Sequence, residues 1–566
     1  MRETDANLSL MSEVLGISQT MARVMANRNI RSKNTALSFL HTSINNLRPF
    51  TQMKDAQRAL ARIGTAINNQ EHITIFGDYD ADGITSTVIL YKVLKRLGAV
   101  VSYYIPHRVT EGYGLTKSGI EKIASMGTEL IIAVDNGISA IDEIAFANSL
   151  KIDTIVLDHH EQGEELPKAF AIINPKQHDC PYPFKELCAG GLAYKLAAAL
   201  CEHMQAPFTE QEECLVLATI ATVCDIVPMQ DENRILANCG MVILNANKLI
   251  NPGLGSLLTV RGYLEKPIDT FTMGFVIGPC INAAGRLDSA EIAAKLLLTE
   301  ADDIKERLGL TQKLLELNDQ RKQLTTDCVN RLLAELTGKL DKILVLSDKN
   351  THESIAGIVA GRIKETTGHP TIVLTQGGEA MKGSGRSPSC YNLFEALHNN
   401  RHLFIRFGGH AMAAGLTIPE ENIPLLRENL NRDCALSDED FMPQIEIDCE
   451  LTFEDVTINL ADELSRLAPF GKENNEPLFV SHNIYVENVR AIDDKNTVIF
   501  TFRSDTGKKV KGISFGMNEA FTKATTEAEV NKTGNFHMDI TYKVETNVYN
   551  GNVSVQVRVT DFYIRR

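Results

Sequence analysis

Three short apolar runs constrain this chain more than anything else in it. HITIF leads into Gly77, ELIIAV leads into Asp135 and IDTIVL leads into Asp158, and helix-compatible sequence follows each. Brief β-rich runs alternating with helical stretches are the mark of βαβ units and a parallel sheet. Every acidic or histidine residue of interest falls just past a strand's last apolar residue. In an open α/β sheet that carboxyl edge is where ligands bind.

At 566 residues, several domains are required. Residues 302–338 contain no proline and keep a helical pattern, with Thr299 and Asp302 as a capping box and Gly338 as the C-terminal cap. Such a helix reaches about 50 Å, enough to join two lobes. A second α/β lobe follows, with KILVLS and PTIVLT as strands and SIAGIVAGRIKETTG as a helix between them. Glycine-rich turns are expected at Lys382–Arg386 and Phe407–Gly415. Beyond 446 the runs IEIDCEL, NTVIFTF, KVKGISF, FHMDITYKV and VSVQVRV read as strands of a small barrel, with Asn550-Gly551 as a hairpin turn. The predicted organisation is a helical N-terminal extension (1–70), a first α/β lobe (71–300), a connector helix (301–339), a second α/β lobe (340–445) and a C-terminal β-barrel of the OB type (446–566).

A formal charge of −15 argues against a protein that coats DNA. It says little about one that degrades DNA, because binding depends on the local field, and carboxylates around a cation change potential once the metal is bound. The eleven cysteines are scattered and form no CxxC pair, which excludes a disulfide scaffold or zinc knuckle and leaves reduced thiols. With no secretory signal pattern and no apolar run long enough for a membrane span, a cytoplasmic location is expected.

The segment Gly77-Asp78-Tyr79-Asp80-Ala81-Asp82-Gly83 places three carboxylates at alternate positions on a turn after a buried strand. Like charges this close repel unless cations neutralise them, and oxygen ligands suit Mg²⁺ or Mn²⁺. Alone, the run could be a calcium loop, but the EF-hand spacing is absent. Asp135-Asn136-Gly137 could add a bridging carboxylate, and Asp158-His159-His160 adds imidazole, which suits Mn²⁺. Asp225, in ATVCDIVPM, taken by itself reads as a helix terminator, and its functional reading depends on the other residues.

Taken together, DYDADGITS, VDNGIS, DHH and ATVCDIVPM resemble the DHH phosphoesterase superfamily. The ordered set IPHR…EGYGL (105–115), GPCINAAGRLDSA (278–290), HESIAGIVAGRI (352–363), GSGRS (383–387), FGGHAMAAG (407–415) and LAPFGKENNEPLF (467–479) is similar to its RecJ family. The resemblance spans roughly residues 70 to 566. It implies that the two lobes are the DHH and DHHA1 domains and the barrel an OB domain. It also implies a single-stranded-DNA-specific exonuclease that works 5′→3′ and releases 5′-mononucleotides.

By that resemblance Asp80, Asp82, Asp135, His159 and Asp225 hold two divalent cations, Mn²⁺ or Mg²⁺, with Asp135 bridging them. His160 orients ligands or the scissile phosphate, and Asp78 is a further candidate ligand. Arg108, Arg286, Ser384 and Arg386 are candidates for a 5′-phosphate pocket, since guanidinium groups match phosphate oxygens bidentately. His352 and His410 are expected to contact the DNA backbone. Two positions depart from the family pattern: Phe76 stands where many members have a histidine ligand, and Thr351 where RecJ sequences carry tryptophan. Tyr113 and Tyr391 are the aromatic substitutes considered for stacking. The resemblance further implies a monomer that works in DNA repair and recombination beside a RecQ-type helicase and a single-strand binding protein.

Three other readings share parts of this pattern. A DHH pyrophosphatase, nano-RNase or cyclic-dinucleotide phosphodiesterase would use the same metal site without a C-terminal barrel. A non-catalytic replication scaffold of the superfamily would have eroded ligands. A generic sugar- or nucleotide-binding α/β protein leaves the aspartates unexplained.

Overall fold

The three apolar runs are parallel strands. In the computed structural model, which describes residues 7–442, 444–549 and 551–565, β1 (His72–Phe76), β2 (Val100–Tyr104), β3 (Leu130–Val134), β4 (Asp153–Leu157) and β5 (Ala171–Ile173) form one parallel sheet in the order β2-β1-β3-β4-β5. That order reverses beside β1, so the turns after β1 and β3 open a crevice at the carboxyl edge. The register keeps the strand ends flush: Val134 lies beside Leu157, and Leu157 beside Ile173. Asp135 and Asp158 therefore leave the sheet at nearly the same level. Their main-chain N–H groups continue the ladder to Leu157 O (3.0 Å) and Ile173 O (3.1 Å).

Helices α1 (Ala81–Arg96), α2 (Ala189–His203), α3 (Gln211–Cys224) and α4 (Gly278–Leu287) surround that edge. Helix α1 is buried along most of its length, as a crossover helix between parallel strands must be. Helix α5 (Ile304–Glu335) is the long connector, but it does not begin on the expected capping box. Thr299 donates its hydroxyl backwards to Leu296 O (2.7 Å), and Asp303 stands at the N-cap without a side-chain bond. Gly338 has a left-handed φ of 78°, yet the helix has already stopped at Glu335.

The second lobe of this unit holds β6 (Leu344–Ser347), helix α6 (Ala356–Thr367), β7 (Thr371–Gly377), β8 (Ala380–Arg386), β9 (Arg406–His410) and β10 (Ala413–Ile418), with strand order β6-β7-β8-β10-β9. Of the predicted glycine-rich turns, Lys382–Arg386 lies within strand β8, and Phe407–Gly415 is an antiparallel hairpin of β9 and β10 that turns at residues 411–412. The glycines of β8 answer to packing. A Cβ on Gly383 would lie 2.5 Å from Leu374 Cδ2, and one on Gly385 2.5 Å from Leu393 Cδ2.

The chain divides into two units, residues 49–225 with 240–444, and residues 1–48 with 226–239 and 445–566. In the second unit β11 (Cys449–Glu450), β12 (Phe479–Ile492), β13 (Thr497–Arg503), β14 (Lys509–Phe515), β15 (Phe536–Tyr549) and β16 (Asn552–Arg565) follow the order β11-β12-β13-β14-β16-β15, and β12 also pairs with β15. That last pairing closes a five-stranded barrel around Phe453, Phe500, Phe502 and Tyr542. Of IEIDCEL only Cys449–Glu450 is strand. The hairpin between β15 and β16 is present, with Tyr549 opposite Asn552, while Asn550 lies outside the described residues. The stretch 1–70 is largely helical but does not act as one piece. Helices Leu8–Leu15, Gln19–Asn27 and Lys33–Leu40 share the barrel's core through Met21, Val24 and Met25. Helix Ala56–Asn69 lies in the first unit, where Asp55 accepts the N–H of Ile172 (3.1 Å). Among the described residues no helix is long and apolar enough to cross a membrane.

Candidate metal centre

Asp80 is the N-cap of α1, accepting the N–H groups of Asp82 (3.0 Å) and Gly83 (3.1 Å). Capping turns the chain so that Asp82 enters the first turn pointing inward, fully buried. A Cβ on Gly83 would stand 2.7 Å from the backbone of Asp78, so only glycine lets this turn close. Asp82 accepts the N–H groups of Ala189 (2.9 Å) and Gly190 (2.6 Å) at the start of α2. Asp135 sits in a left-handed conformation (φ 64°) directly after β3, and Tyr113 donates its hydroxyl to the Asp135 carbonyl (2.9 Å). Asp225 caps the carboxyl end of α3.

These side chains converge. His159 Nε2 lies 3.1 Å from Asp135 Oδ1 and 3.6 Å from both Asp82 Oδ2 and Asp225 Oδ2. Among the described residues, ligand atoms of Asp82, His159 and Asp225 lie within 4.8 Å of one another, as do those of Asp78, Asp80 and Asp135, and those of Asp135, His159 and His160. The result is two adjacent ligand sets that meet at Asp135 and His159.

Electrostatically this cluster is short of positive charge. Burial, followed by the charge of Asp80, pushes Asp82 up to about 7. Burial and the charge of Asp82 push Asp225 up to about 8. Asp135 is raised well above the carboxylate range by burial and by Asp82, and Asp78 by burial and by Asp80. Burial beside His160 lowers His159 to about 3, so it is a neutral imidazole, the form that ligates metals. Asp78 Oδ1 is buried without a hydrogen-bond partner. An orphaned carboxylate oxygen within a group of mutually repelling carboxylates fits divalent cations with oxygen and imidazole ligands.

Asp158 plays a different part. It accepts the N–H groups of Ile138 (2.9 Å), His159 (2.7 Å) and His160 (3.1 Å), and pairs with His160 Nδ1 at 2.7 Å. Although burial opposes its charge, the His160 bond holds Asp158 down at about 2. Burial also works against the charge on His160, but Asp158 outweighs it and raises His160 to about 9. Asp158 is thus saturated and aims His160, a role that alternating acids in sequence do not reveal.

Arg108, Arg286, Ser384 and Arg386 line one cavity of about 1090 Å³, together with Tyr79 and Tyr113. Arg108 stacks over the Tyr79 ring (4.8 Å), Arg286 donates to Ser354 O (2.8 Å), and Arg386 to Ser384 Oγ (3.1 Å) and Gly385 O (2.8 Å). Burial and the charge of Arg108 lower Arg286 to about 10 and also lower Arg386. Among the described residues, none of the three guanidiniums has a carboxylate partner. Lys382, which the motifs did not single out, lines the same cavity and pairs with Glu353 at 2.8 Å.

The histidines of the second lobe part company. His410 lines a neighbouring cavity of about 410 Å³ with His160 and Asn136. His352 lines neither cavity, and its Nδ1 is bound to Ser354 Oγ (2.7 Å) at the cap of a short turn. Tyr391 packs against the second lobe's core. Phe76 is buried against Tyr104 (5.0 Å between centroids) in the core under the sheet, so its position offers no ligand. Thr351 is buried, donating to Asp348 Oδ2 (2.8 Å), with Cys328 Sγ in contact with the same hydroxyl at 2.7 Å. Asn282 accepts the N–H of Ala81 (2.7 Å), which ties α4 to the turn carrying Asp80.

Comparison with known proteins covers the same ground. Residues 72–222 match the DHH family, N-terminal domain, residues 340–435 the DHHA1 domain, and residues 447–561 the RecJ OB domain. The single-stranded-DNA-specific exonuclease RecJ of Escherichia coli is 31% identical, over 99% of this chain and 98% of its own length. Its Bacillus subtilis counterpart is 37% identical over 88% of this chain, which spans 63% of that longer protein. The crystal structure of RecJ from Thermus thermophilus in complex with Mn²⁺ matches with a TM-score of 0.82 at 27% identity, covering 99% of this chain and 78% of that one. The complex of the same protein with Mg²⁺ matches with a TM-score of 0.76. With fold, site and relatives in agreement, this chain belongs to the RecJ family.

Proposed function

We infer that the chain is a metal-dependent exonuclease that hydrolyses single-stranded DNA from its 5′ end and releases 5′-mononucleotides. The observation that carries this reading is the pairing of two ligand sets that meet at Asp135 and His159 with a cavity lined by three arginines that have no carboxylate partner among the described residues, in the same unit. Asp82, His159 and Asp225 would hold one cation, Asp78 and Asp80 the other, and Asp135 both. Two bound divalent cations supply Lewis acidity and lower the pKa of water at neutral pH.

The protein's own groups do the rest. Arg108, Arg286, Arg386 and Ser384 receive the 5′-terminal phosphate and set the distance from strand end to scissile bond. His160, charged through its bond to Asp158, offsets charge that develops on the phosphate. Tyr113 fixes the left-handed turn that aims Asp135. His410, beside His160 in the second cavity, contacts the backbone there. The OB barrel grips the strand, and a RecQ-type helicase and a single-strand binding protein deliver it, in the cytoplasm, to a monomeric enzyme acting in repair and recombination.

The test uses two labelled single-stranded DNA oligomers, one with a 5′-phosphate and one blocked at 5′, with Mn²⁺ or Mg²⁺ and an Asp80→Ala control. Stepwise mononucleotide release from the open 5′ end that needs metal and Asp80 supports the reading. Cleavage of pyrophosphate or dinucleotides, with the oligomers intact, contradicts it.

A further inference from the structure

The cavity that holds Arg108, Arg286, Ser384 and Arg386 continues past them over one face of the second lobe's sheet. Pairing of β8 with β10, and of β10 with β9, sets three same-face rows across that sheet. They are Arg386–Ala413–His410, Ser384–Gly415–Gly408 and Lys382–Thr417–Arg406. The first row lies toward the metal centre, since His410 shares a cavity with His160. Arg386 donates to Ser384 Oγ (3.1 Å), so its guanidinium leans back over the middle row. The far row stands about 6.5 Å beyond the middle one, the rise of two strand residues.

The middle row is bare. A Cβ on Gly408 or Gly415 would meet nothing within 4 Å, and neither glycine has a left-handed φ. Unlike Gly383 and Gly385, they answer to no packing within the chain, and they leave a floor on which a ligand reaches the main chain. The far row is cationic: Lys382 and Arg406 both line the cavity, with Thr417 between them. Lys382 pairs with Glu353 at 2.8 Å, and Arg406 is exposed with no carboxylate partner among the described residues. Five basic side chains thus line the cavity against one carboxylate, Glu353. A single terminal phosphate, with a charge of about −2, is already matched by Arg108, Arg286 and Arg386. The volume of about 1090 Å³ also reaches the upper end of pockets that enclose whole small molecules, roughly 300–1,000 Å³.

We propose that the row Lys382–Thr417–Arg406 is a subsite for the outer phosphates of a 5′-polyphosphate, so that the enzyme also takes strands ending in a 5′-triphosphate. The proposal rests on the exonuclease reading and on Ser384 and Arg386 as receivers of the 5′-phosphate. The α-phosphate sits at Ser384 and Arg386, the β-phosphate crosses the bare floor, and the γ-phosphate meets the ammonium of Lys382 and the guanidinium fork of Arg406. The row offers cations and a hydroxyl rather than an aromatic face, which favours phosphates over a further nucleoside. Hydrolysis is otherwise unchanged. Water adds to the phosphorus of the first internucleotide phosphate, the P–O3′ bond breaks and a proton passes to O3′. The first nucleotide leaves as a nucleoside 5′-triphosphate, and the shortened strand keeps a 5′-monophosphate.

The full chain with Mn²⁺ is given two single-stranded DNA oligomers of one sequence, one ending in a 5′-triphosphate and one in a 5′-monophosphate. Both should be digested, and the first product from the triphosphate end should be an intact nucleoside 5′-triphosphate. Lys382→Ala combined with Arg406→Ala should raise KM for the triphosphate end about tenfold or more, the scale of a charge-assisted hydrogen bond. KM for the monophosphate end should stay where it was, which also shows that the variant is folded. Glu353→Gln, which frees Lys382, should lower KM for the triphosphate end alone, and an unmoved KM there would count against the row. A triphosphate end that resists digestion, or that loses pyrophosphate before the strand is cut, would overturn the subsite. Equal effects of the double variant on the two ends would do the same. Dinucleotides as the first product from the monophosphate end would put a nucleoside in the far row and overturn it too. Failure to digest even the monophosphate end would overturn the exonuclease reading itself.

Discussion

The N–H of Gly190 donates to Asp82 at 2.6 Å, so the first turn of α2 acts as the cradle of a candidate metal ligand. A Cβ on Gly190 would lie 2.3 Å from Ala221 Cβ and 3.2 Å from Asp82 Oδ1. Gly190→Ala should therefore push α2 away from α3 and loosen Asp82 without touching substrate. Loss of an outer partner of a ligand typically costs about 10- to 100-fold in metal affinity. The Mn²⁺ concentration for half-maximal activity should rise by that order, with activity regained at high Mn²⁺. An unchanged metal requirement would show that the cradle does not matter.

Asp135 lies among Asp78, Asp80, Asp82 and Asp225, all bearing on its charge. In chelator, Asp135→Asn should raise the melting temperature by on the order of 1 °C for each kcal/mol of repulsion removed. Added Mn²⁺ should stabilise the parent by mass action and leave the variant nearly unmoved. Thermal unfolding with and without Mn²⁺ checks both halves.

Gly357 leaves the space that Arg386 and Ser384 use. A Cβ there would lie 2.8 Å from Arg386 Nη2 and 2.9 Å from Ser384 Oγ. Gly357→Ala should raise KM for 5′-phosphorylated strands about tenfold, the scale of a displaced charge-assisted bond, with kcat less affected. Strands ending in a 5′-hydroxyl should respond less, and steady-state kinetics on the two substrates distinguishes the cases.

In the barrel, Asp539 accepts two hydrogen bonds from Arg565 (2.7 and 2.9 Å) and faces His482 (3.3 Å). Burial works against its charge, but these partners hold it down at about 2. A carboxyl lowered in the folded state adds stability above its unfolded value of about 3.9, and that stability is lost as pH falls toward the folded value. Asp539→Asn should flatten the fall in stability between those limits and change little at neutral pH. The effect should be small, since the group is near the surface. Denaturant unfolding at stepped acid pH measures it.

The sheet and the metal site were legible because their signals are local: a five-residue apolar strand, then an acid where ligands bind. The arginine cavity was legible only through the motifs, since nothing in the spacing of Arg108, Arg286 and Arg386 says that they meet. The strand β8 was read as a turn because Gly383 and Gly385 serve close packing against Leu374 and Leu393, which composition cannot distinguish from a bend. Thr299 misled as a helix cap because its hydroxyl closes the preceding helix. Phe76 and Thr351 stand out against a family pattern, and only packing shows that both are core positions. His352 binds Ser354 through Nδ1, a contact two residues away that no periodicity announces.

The central claim is that two cation sites share Asp135. Titration of the metal-free chain with Mn²⁺, read by calorimetry, should give about two ions per chain, as in other two-metal hydrolases. Asp225→Asn and Asp78→Asn should each leave one site largely intact, and Asp135→Asn should weaken both. A single ion in the parent, or full retention of both sites in Asp135→Asn, would contradict the account.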